Sequence, residues 1–266
     1  MDPTTNQSAS YFISKGIDQF FSGVYAIGRF ILRFFKEVFL PPYEFKEVIR
    51  QCYMIGYRSL PLISVTGFIV GVVFTDHSRS ALASFGAESW IPATAGVAIV
   101  KALAPLITAL ICAGKIGSQI GAELGSMKVT EQIDAMEVSA VNPFKFLVIT
   151  RTIATTFMIP MLVFYSALVG LIGSFINIRM VDQTSLTTFI HNAFTNIGFM
   201  EVASTITRSI VFGFTIGIIS CFQGYNAGKG TEGVGKAANA SVVLAMFLIF
   251  IEEITIVKFF VNDAIK

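Results

Sequence analysis

Five apolar stretches, each bounded by polar residues, constrain the fold of this chain more than any other feature of its sequence. An α-helix of about 20 mostly apolar residues crosses the hydrocarbon core of a bilayer. The chain is 54% hydrophobic and 14% charged, which is more apolar than one soluble core requires. We therefore predict an all-α integral membrane protein with five transmembrane helices: Leu60–Thr75, approached by Cys52–Tyr57, then Ile91–Ala113, Phe146–Ile176, Val202–Phe222 and Ala237–Val261.

The N-terminal region divides into a polar tail, residues 1–10, and an amphipathic segment, residues 11–40. Within residues 11–40, bulky apolar residues recur every three or four positions and charged residues share the opposite side, which predicts an α-helix. Its basic residues and phenylalanines are typical of a helix lying in the lipid headgroup region, although a surface helix packed on protein would show the same pattern. Pro41 and Pro42 end this helix because neither donates a backbone hydrogen bond, and residues 41–266 form the membrane domain.

The distribution of basic residues predicts the orientation of the chain. Cytoplasmic loops of membrane proteins carry an excess of lysine and arginine. A cytoplasmic N-terminus and an external C-terminus leave only four basic residues outside: Arg79, Arg179, Lys258 and Lys266. The connection between the second and third spans, residues 114–142, is then cytoplasmic.

Small residues begin this connection at a regular spacing. Four of them recur at intervals of four residues and share one helical face: Ala113, Gly117, Gly121 and Gly125. Such a face permits close backbone contact with another helix.

A short charged helix follows the small residues. Thr130 is the predicted N-cap, which places Glu131 and Asp134 near the positive end of the helix dipole. Asn142-Pro143 ends the helix before the third span. The same residues would also suit a solvated helix that contacts only its own chain. A narrow apolar strip is available to it from Val129, Ile133 and Met136.

Motifs for catalysis, nucleotide binding and metal binding do not occur in the sequence. The pairs Gly114-Lys115 and Gly228-Lys229 are followed by Ile and Gly instead of Ser or Thr, so neither forms a phosphate-binding loop. We expect the chain to bind no cofactor or metal, to have no nucleic-acid partner and to be no enzyme by itself. The three cysteines are widely spaced, which favours neither a disulfide nor a metal site: Cys52, Cys112 and Cys221.

Two blocks of sequence resemble the MlaE family, the permease subunits of lipid-transporting ABC systems that work with MCE proteins. The first block contains AGKIGS from Ala113, AELGSM from Ala122, TEQIDAM from Thr130 and AVNP from Ala140. The second contains Gly224 and TEGVGKA from Thr231. The resemblance covers about residues 50–260. The chain departs from the family after Lys101, where Ala102 to Pro105 replace a frequent acidic residue and glycine, and at Asn239, where threonine is frequent.

The resemblance implies a homodimeric permease with two cytoplasmic ATPase subunits that bind ATP and Mg. Because the sequence shows no recognisable transit peptide, we expect a bacterial inner membrane. The resemblance further implies an MCE protein on the outer side, which exchanges phospholipid with a cavity between the two permeases. Residues 11–40 would be the interfacial elbow helix of the family. Residues 123–137 would be the coupling helix that docks into the ATPase, with these contact residues: Glu123, Met127, Glu131, Gln132, Asp134 and Glu137.

Ionisable residues within the predicted spans are candidates for a functional role, because their burial is costly unless they pair or face water. Lys101, Arg208, Glu252 and Glu253 are of this kind. Adjacent helical residues point about 100° apart, so Glu252 and Glu253 can face different environments. By position in the family we expect Glu253 to face inward and to pair with Arg208 near the transport cavity. A structural tether between the two spans is the alternative.

Apolar stripes on the first and fourth spans are candidate walls for a lipid cavity, although ordinary helix packing predicts the same stripes. They comprise Leu62, Val65 and Ile69, and Val211, Phe214 and Ile218.

Two other classes of function fit the residues without an ATPase. The intramembrane charges could serve an ion pathway in a secondary transporter or channel. A noncatalytic membrane scaffold could recruit a cytoplasmic complex through residues 115–142.

Overall fold

The structure is a computed structural model that describes the backbone of residues 3–41, 43–182 and 184–264, and the side chains of 21–41, 43–182 and 184–260. Pro42 and Lys266, used above for the helix end and the charge distribution, lie outside the described residues. The regular elements of the described ranges are all helical, which confirms the predicted all-α class.

The chain divides into two units, Met1–Tyr43 and Glu44–Lys266. The first unit holds helix α1, Pro3–Val38, which begins earlier than the predicted start at Tyr11. Its location in the headgroup region stays a prediction. The second unit holds helices α2 to α11.

Five helices of the described residues are long and apolar enough to cross a membrane, as predicted. They are Phe45–Ala83, Glu88–Val129, Phe144–Asp182, Phe199–Tyr225 and Gly230–Phe260. Within the first three, the α-helices are α2 (Phe45–Tyr57), α3 (Leu60–Ala83), α4 (Ile91–Ala98), α5 (Ala104–Cys112), α6 (Ser118–Val129) and α8 (Thr150–Asp182). The short helices α7 (Gln132–Val138) and α9 (Leu186–Thr195) connect spans, and α10 (Phe199–Tyr225) and α11 (Gly230–Ala264) are the last two.

The second and third spans are not α-helical throughout. Three π-helical segments widen the backbone where they occur: Ile99–Leu103 between α4 and α5, Ala113–Gly117 between α5 and α6, and Phe144–Ile149 before α8. Because α6 continues the second span without a break, the first part of the predicted cytoplasmic connection is an extension of that span.

Helix α8 lies at the centre of the unit and contacts α2, α3, α5 and α10. Glycines allow these contacts: a Cβ at Gly71 of α3 would overlap the carbonyl oxygen of Gly170, and one at Gly213 of α10 would lie 2.7 Å from that of Thr155. Small residues bring helix backbones together in membranes, where water supplies no hydrophobic driving force between helices. The absence of a side chain at Gly71 and Gly213 therefore sets the distance from α8 to its two neighbours.

Hydroxyl groups add hydrogen bonds to the contact between α3 and α8. The Thr75 hydroxyl donates to Ser174 Oγ at 2.7 Å, and the hydroxyls of Ser64 and Tyr165 lie 2.6 Å apart. Such interhelical bonds satisfy polar groups that lipid cannot satisfy.

We expect Gly71→Ala to destabilise the protein by about 1–3 kcal/mol, because the added methyl group separates α3 from α8. The matched control is Gly235→Ala on α11, where an added Cβ meets nothing within 4 Å. Unfolding of the two variants in a titration with denaturing detergent measures the difference. Equal stability of both variants would contradict the assigned contact.

Candidate functional site

The face of small residues lies against α10 and α11. A Cβ at Gly117 would lie 3.1 Å from the Ser220 hydroxyl, and one at Gly121 would overlap the Ser241 hydroxyl. The last two spans therefore hold the final part of the second span, which includes α6, in place. The four members of the face are all buried: Ala113, Gly117, Gly121 and Gly125.

The turn between α6 and α7 differs from the prediction. Thr130 ends α6 instead of capping α7, because α6 extends to Val129 and the Thr130 hydroxyl donates to the Ser126 carbonyl at 2.8 Å. The N-cap position of α7 belongs to Glu131, whose φ of 58° is left-handed. The prediction of Thr130 as the N-cap was wrong for this reason.

Helix α7 has a backbone break at each end. Glu131 before it and Ala140 after it both have positive φ, at 58° and 60°. A residue with a Cβ pays about 1–2 kcal/mol for this conformation, and such strain concentrates at functional sites. An ion pair of 2.9 Å between Lys128 Nζ and Asp134 Oδ1 joins α7 to the end of α6.

One apolar residue anchors α7, and its other side is polar. Ile133 is only 1% exposed and Met136 is half-buried, whereas the predicted contact residues on α7 and its N-cap face outward. These exposed residues are Glu131, Gln132, Asp134 and Glu137. Helix α7 therefore presents a charged surface at the end of α6, which is itself held by α10 and α11.

The other two predicted contact residues, Glu123 and Met127, lie on α6. Glu123 Oε2 is 3.5 Å from Arg151 Nη2, and Glu123 Oε1 accepts a hydrogen bond from Gln119 at 2.7 Å. Arg151 is buried in the first turn of α8. Glu123 therefore links the α6 part of the second span to the third span, and the sequence contains no local signal for this pair.

Arg208 and Glu253 form an ion pair inside the bundle. Arg208 Nη1 lies 2.7 Å from Glu253 Oε1, and Arg208 is 1% exposed. Its second terminal nitrogen donates to the Lys101 carbonyl at 2.5 Å. Arg208 thus joins the second, fourth and fifth spans. The transport role suggested for this pair stays a prediction.

Pro105 explains why the Lys101 carbonyl is available. In an α-helix that carbonyl would accept from the N–H four residues later, and proline has none. The backbone widens into the π-helix Ile99–Leu103, where the Ala104 N–H donates to the Ile99 carbonyl instead. Side chains of α10 replace the lost bonds: Thr205 donates to the Val100 carbonyl at 3.3 Å and Arg208 to that of Lys101.

Glu252 also reaches α10. Its Oε1 accepts a hydrogen bond of 2.5 Å from the Thr215 hydroxyl, two turns from Arg208. Both adjacent carboxylates of α11 thus contact α10, and sequence reasoning missed Thr215 as a partner. Lys101 Nζ lies at the longer distance of 3.9 Å from Glu201 Oε1, and its side chain is 43% exposed.

The two apolar stripes are not brought together within one chain. Leu62, Val65 and Ile69 are exposed on α3, which contacts α8 and α4, whereas α10 contacts α8 and α11. Ile218 is buried in the core of the chain, so it lines no surface cavity of a single copy. Val211 and Phe214 are half-buried.

Comparison with known proteins gives the same assignment as the sequence blocks. Residues 48–259 match the family described as Permease MlaE. The chain belongs to the MlaE permease family. This match confirms the resemblance and contains α7, the small-residue face and the charge cluster, which is formed by Lys101, Arg208, Glu252 and Glu253.

Curated relatives of this MlaE permease occur in bacteria and plants. A probable ABC transporter permease protein of Rickettsia prowazekii is 35% identical over 90% of this chain and 91% of its own length. One of Synechocystis is 32% identical over 78% of this chain and 79% of its own. The chloroplastic protein trigalactosyldiacylglycerol 1 of Arabidopsis thaliana is 29% identical over 98% of this chain and 73% of its own.

The MlaE permease is therefore the membrane-spanning subunit of an ABC transporter. In such transporters the ATPase motifs belong to a separate cytoplasmic subunit, which is the implied partner of this chain. The chain is not an ATPase by itself.

We expect Arg208→Met to cost about 3–5 kcal/mol of folding free energy, because it leaves Glu253, whose side chain is only 16% exposed, without a cation. Arg208→Met combined with Glu253→Leu should be less destabilising than the single change. Lys101→Met is the control and should cost less than about 1 kcal/mol, because its pair is long and partly exposed. Unfolding titrations of the full chain measure these changes. A double variant no more stable than Arg208→Met would count against the pair.

Proposed function

We propose that this permease works as a homodimer that moves phospholipid between a bacterial inner membrane and an MCE protein on its outer side. Two cytoplasmic ATPase subunits, which bind ATP and Mg, supply the energy. The observation that carries the proposal is helix α7. It is a short charged helix with a strained residue at each end, and it directly follows α6, the last part of the second span. The lipid substrate has support from the plant relative, whose name contains a galactolipid.

Helix α7 is the proposed docking element for the ATPase. Its outward side chains set the register of docking, and Ile133 together with the Lys128–Asp134 ion pair keeps α7 from moving independently of α6. A movement of the ATPase is then transmitted to the membrane along two routes. One is the continuous helix from α6 into the second span, and the other is the Glu123–Arg151 pair into the third span.

The charge cluster at Arg208 is the proposed control point for the lipid path. It joins the second, fourth and fifth spans, and the second span is the one that α6 extends. A rotation of the second span about the π-helix would change the distance from the Lys101 carbonyl to Arg208. Arg208 would then lose its hydrogen bond to the Lys101 carbonyl, which helps to hold it against Glu253. The second span would then be free to separate from the fourth and fifth spans.

The proposed orientation follows from the docking role. An ATPase reaches α7 only from the cytoplasm, which places the N-terminus inside and the C-terminus outside with five spans. This agrees with the distribution of basic residues.

The family assignment disfavours the two alternatives. A channel or secondary transporter would conduct without an ATPase, and a scaffold would bind partners without moving lipid. Proteoliposomes that contain the chain alone, or the chain with its partners, distinguish these outcomes.

We expect the double charge reversal Glu131→Lys/Asp134→Lys to reduce copurification of the ATPase at least tenfold, a loss of about 1.4 kcal/mol or more. Membrane insertion and dimer formation should not change, because both side chains are exposed. Glu232→Lys is the matched control: its side chain is 81% exposed on the first turn of α11 and is outside α7. Full retention of the ATPase by the double variant would refute the docking role.

We expect Glu253→Gln to leave the assembled complex intact but to reduce lipid transfer, because the neutral amide binds Arg208 more weakly than the carboxylate does. Transfer of a fluorescent phospholipid between proteoliposomes and the MCE protein measures the effect. Glu201→Gln is the control, since its ion pair with Lys101 is longer and more exposed. Unchanged transfer by Glu253→Gln would leave the pair with a structural role only.

A further inference from the structure

An apolar groove of about 400 Å³ lies between α2 and α8, apart from both the charge cluster and α7. Gly56 and Leu162 are the buried members of its lining. Its walls include large side chains with much of their surface exposed, among them Tyr53 and Met161. The remaining lining residues are Ile49, Cys52, Tyr57, Leu60 and Met158.

Gly56 and a tyrosine pair give the groove its form. A Cβ at Gly56 would overlap the terminal methyl group of Met158, so the absent side chain leaves room for that methyl group between α2 and α8. Tyr53 and Tyr57 stack with ring centroids 5.2 Å apart and planes 9° from parallel. The stacked rings make one wall of the groove stiff.

A cation adjoins this wall. Arg50 shares a helical face with Tyr53 and Tyr57, because residues three and four positions apart lie on the same side of a helix. Its Nη2 donates to Glu47 Oε1 at 2.9 Å, and Gln51 donates to the same oxygen at 2.8 Å. Glu47 is buried, so it holds Arg50 in place while most of the guanidinium side chain stays exposed.

We propose that this groove binds a phospholipid of the cytoplasmic leaflet, with one acyl chain between α2 and α8 and the phosphate at Arg50. The apolar walls of the groove match the acyl chain of a phospholipid, and the arginine next to them can bind the phosphate at the end of that chain. A groove on the outer surface of a membrane-spanning unit is filled by the bilayer around it. Only the choice of leaflet rests on the proposed function and its orientation.

This lipid is a resident one and not the transported one. The groove shares no lining residue with Arg208, Glu252 or Glu253. It lies beside the contact of α2 with α8, the helix that also bears Arg151. Its occupancy therefore supports the helix through which the Glu123–Arg151 pair acts.

The test uses the full chain in nanodiscs of phosphatidylethanolamine and phosphatidylglycerol, doped with a phospholipid that carries a photoreactive diazirine on its acyl chain. Cross-linked peptides are then mapped by mass spectrometry. We expect labels to concentrate on residues 49–60 and 158–162, and Met161→Trp to reduce them about tenfold by filling the groove. The matched control is Leu168→Trp, which is two turns further along the same face of α8 and outside the groove.

Equal labelling of every lipid-facing span would show annular lipid only and overturn the proposal. Unchanged labelling in Met161→Trp would do so too. Covalent dimers joined through Cys52 by a short bismaleimide would show that a second copy occupies the groove. The ATPase and the MCE protein are not needed, so a failure here is distinct from a failure of the proposed transport function.

A second variant tests the headgroup contact. Arg50→Gln combined with Glu47→Gln, which leaves no buried carboxylate without its cation, should lower labelling by the anionic phosphatidylglycerol probe. Labelling equal to that of the natural chain would remove Arg50 from the site.

Discussion

The missing N–H of Pro105 is the constraint on which the centre of the bundle depends. Inside hydrocarbon, a backbone carbonyl without a partner costs several kcal/mol, and no water is present to replace the bond. Arg208 supplies the partner for Lys101, but a buried guanidinium needs an anion of its own, which Glu253 provides. Pro105 in the second span is thereby coupled to a cation in the fourth span and a carboxylate in the fifth.

The contacts of the third span with its neighbours depend on glycines, which have no side chain. At Gly71 and Gly213 the helix backbones touch because side chains are absent, and hydroxyls such as that of Thr75 bond across the gap. Large apolar side chains occur both in the core, as at Phe144 and Phe212, and at the surface, as at Phe247 and Phe250 of α11. In a lipid environment this exposure carries no penalty. Small residues thus mark the closest contacts between helices.

Much of the architecture could be predicted from local patterns, because span length and four-residue spacing are written in neighbouring residues. The five spans and the small-residue face beginning at Ala113 could be predicted in this way. Arg208 and Glu253 could be paired because ionisable residues are rare within the spans and because the position in the family favours Glu253 over Glu252. Glu123 and Arg151 are far apart in the chain and have many other possible partners, so only the fold identifies their contact. The Thr130 cap failed because sequence does not show where α6 ends.

The left-handed residues at the two ends of α7 have a mechanical consequence. Glu131 and Ala140 occupy a conformation that glycine adopts freely, yet neither position carries glycine. The Cβ atom at each position restricts the φ and ψ angles that the residue can adopt, so the backbone at both ends of α7 resists bending. The strain at these two residues thus lowers the folding stability of the chain but makes the ends of α7 more rigid. Glycine at either position would relieve the strain and make the backbone there more flexible.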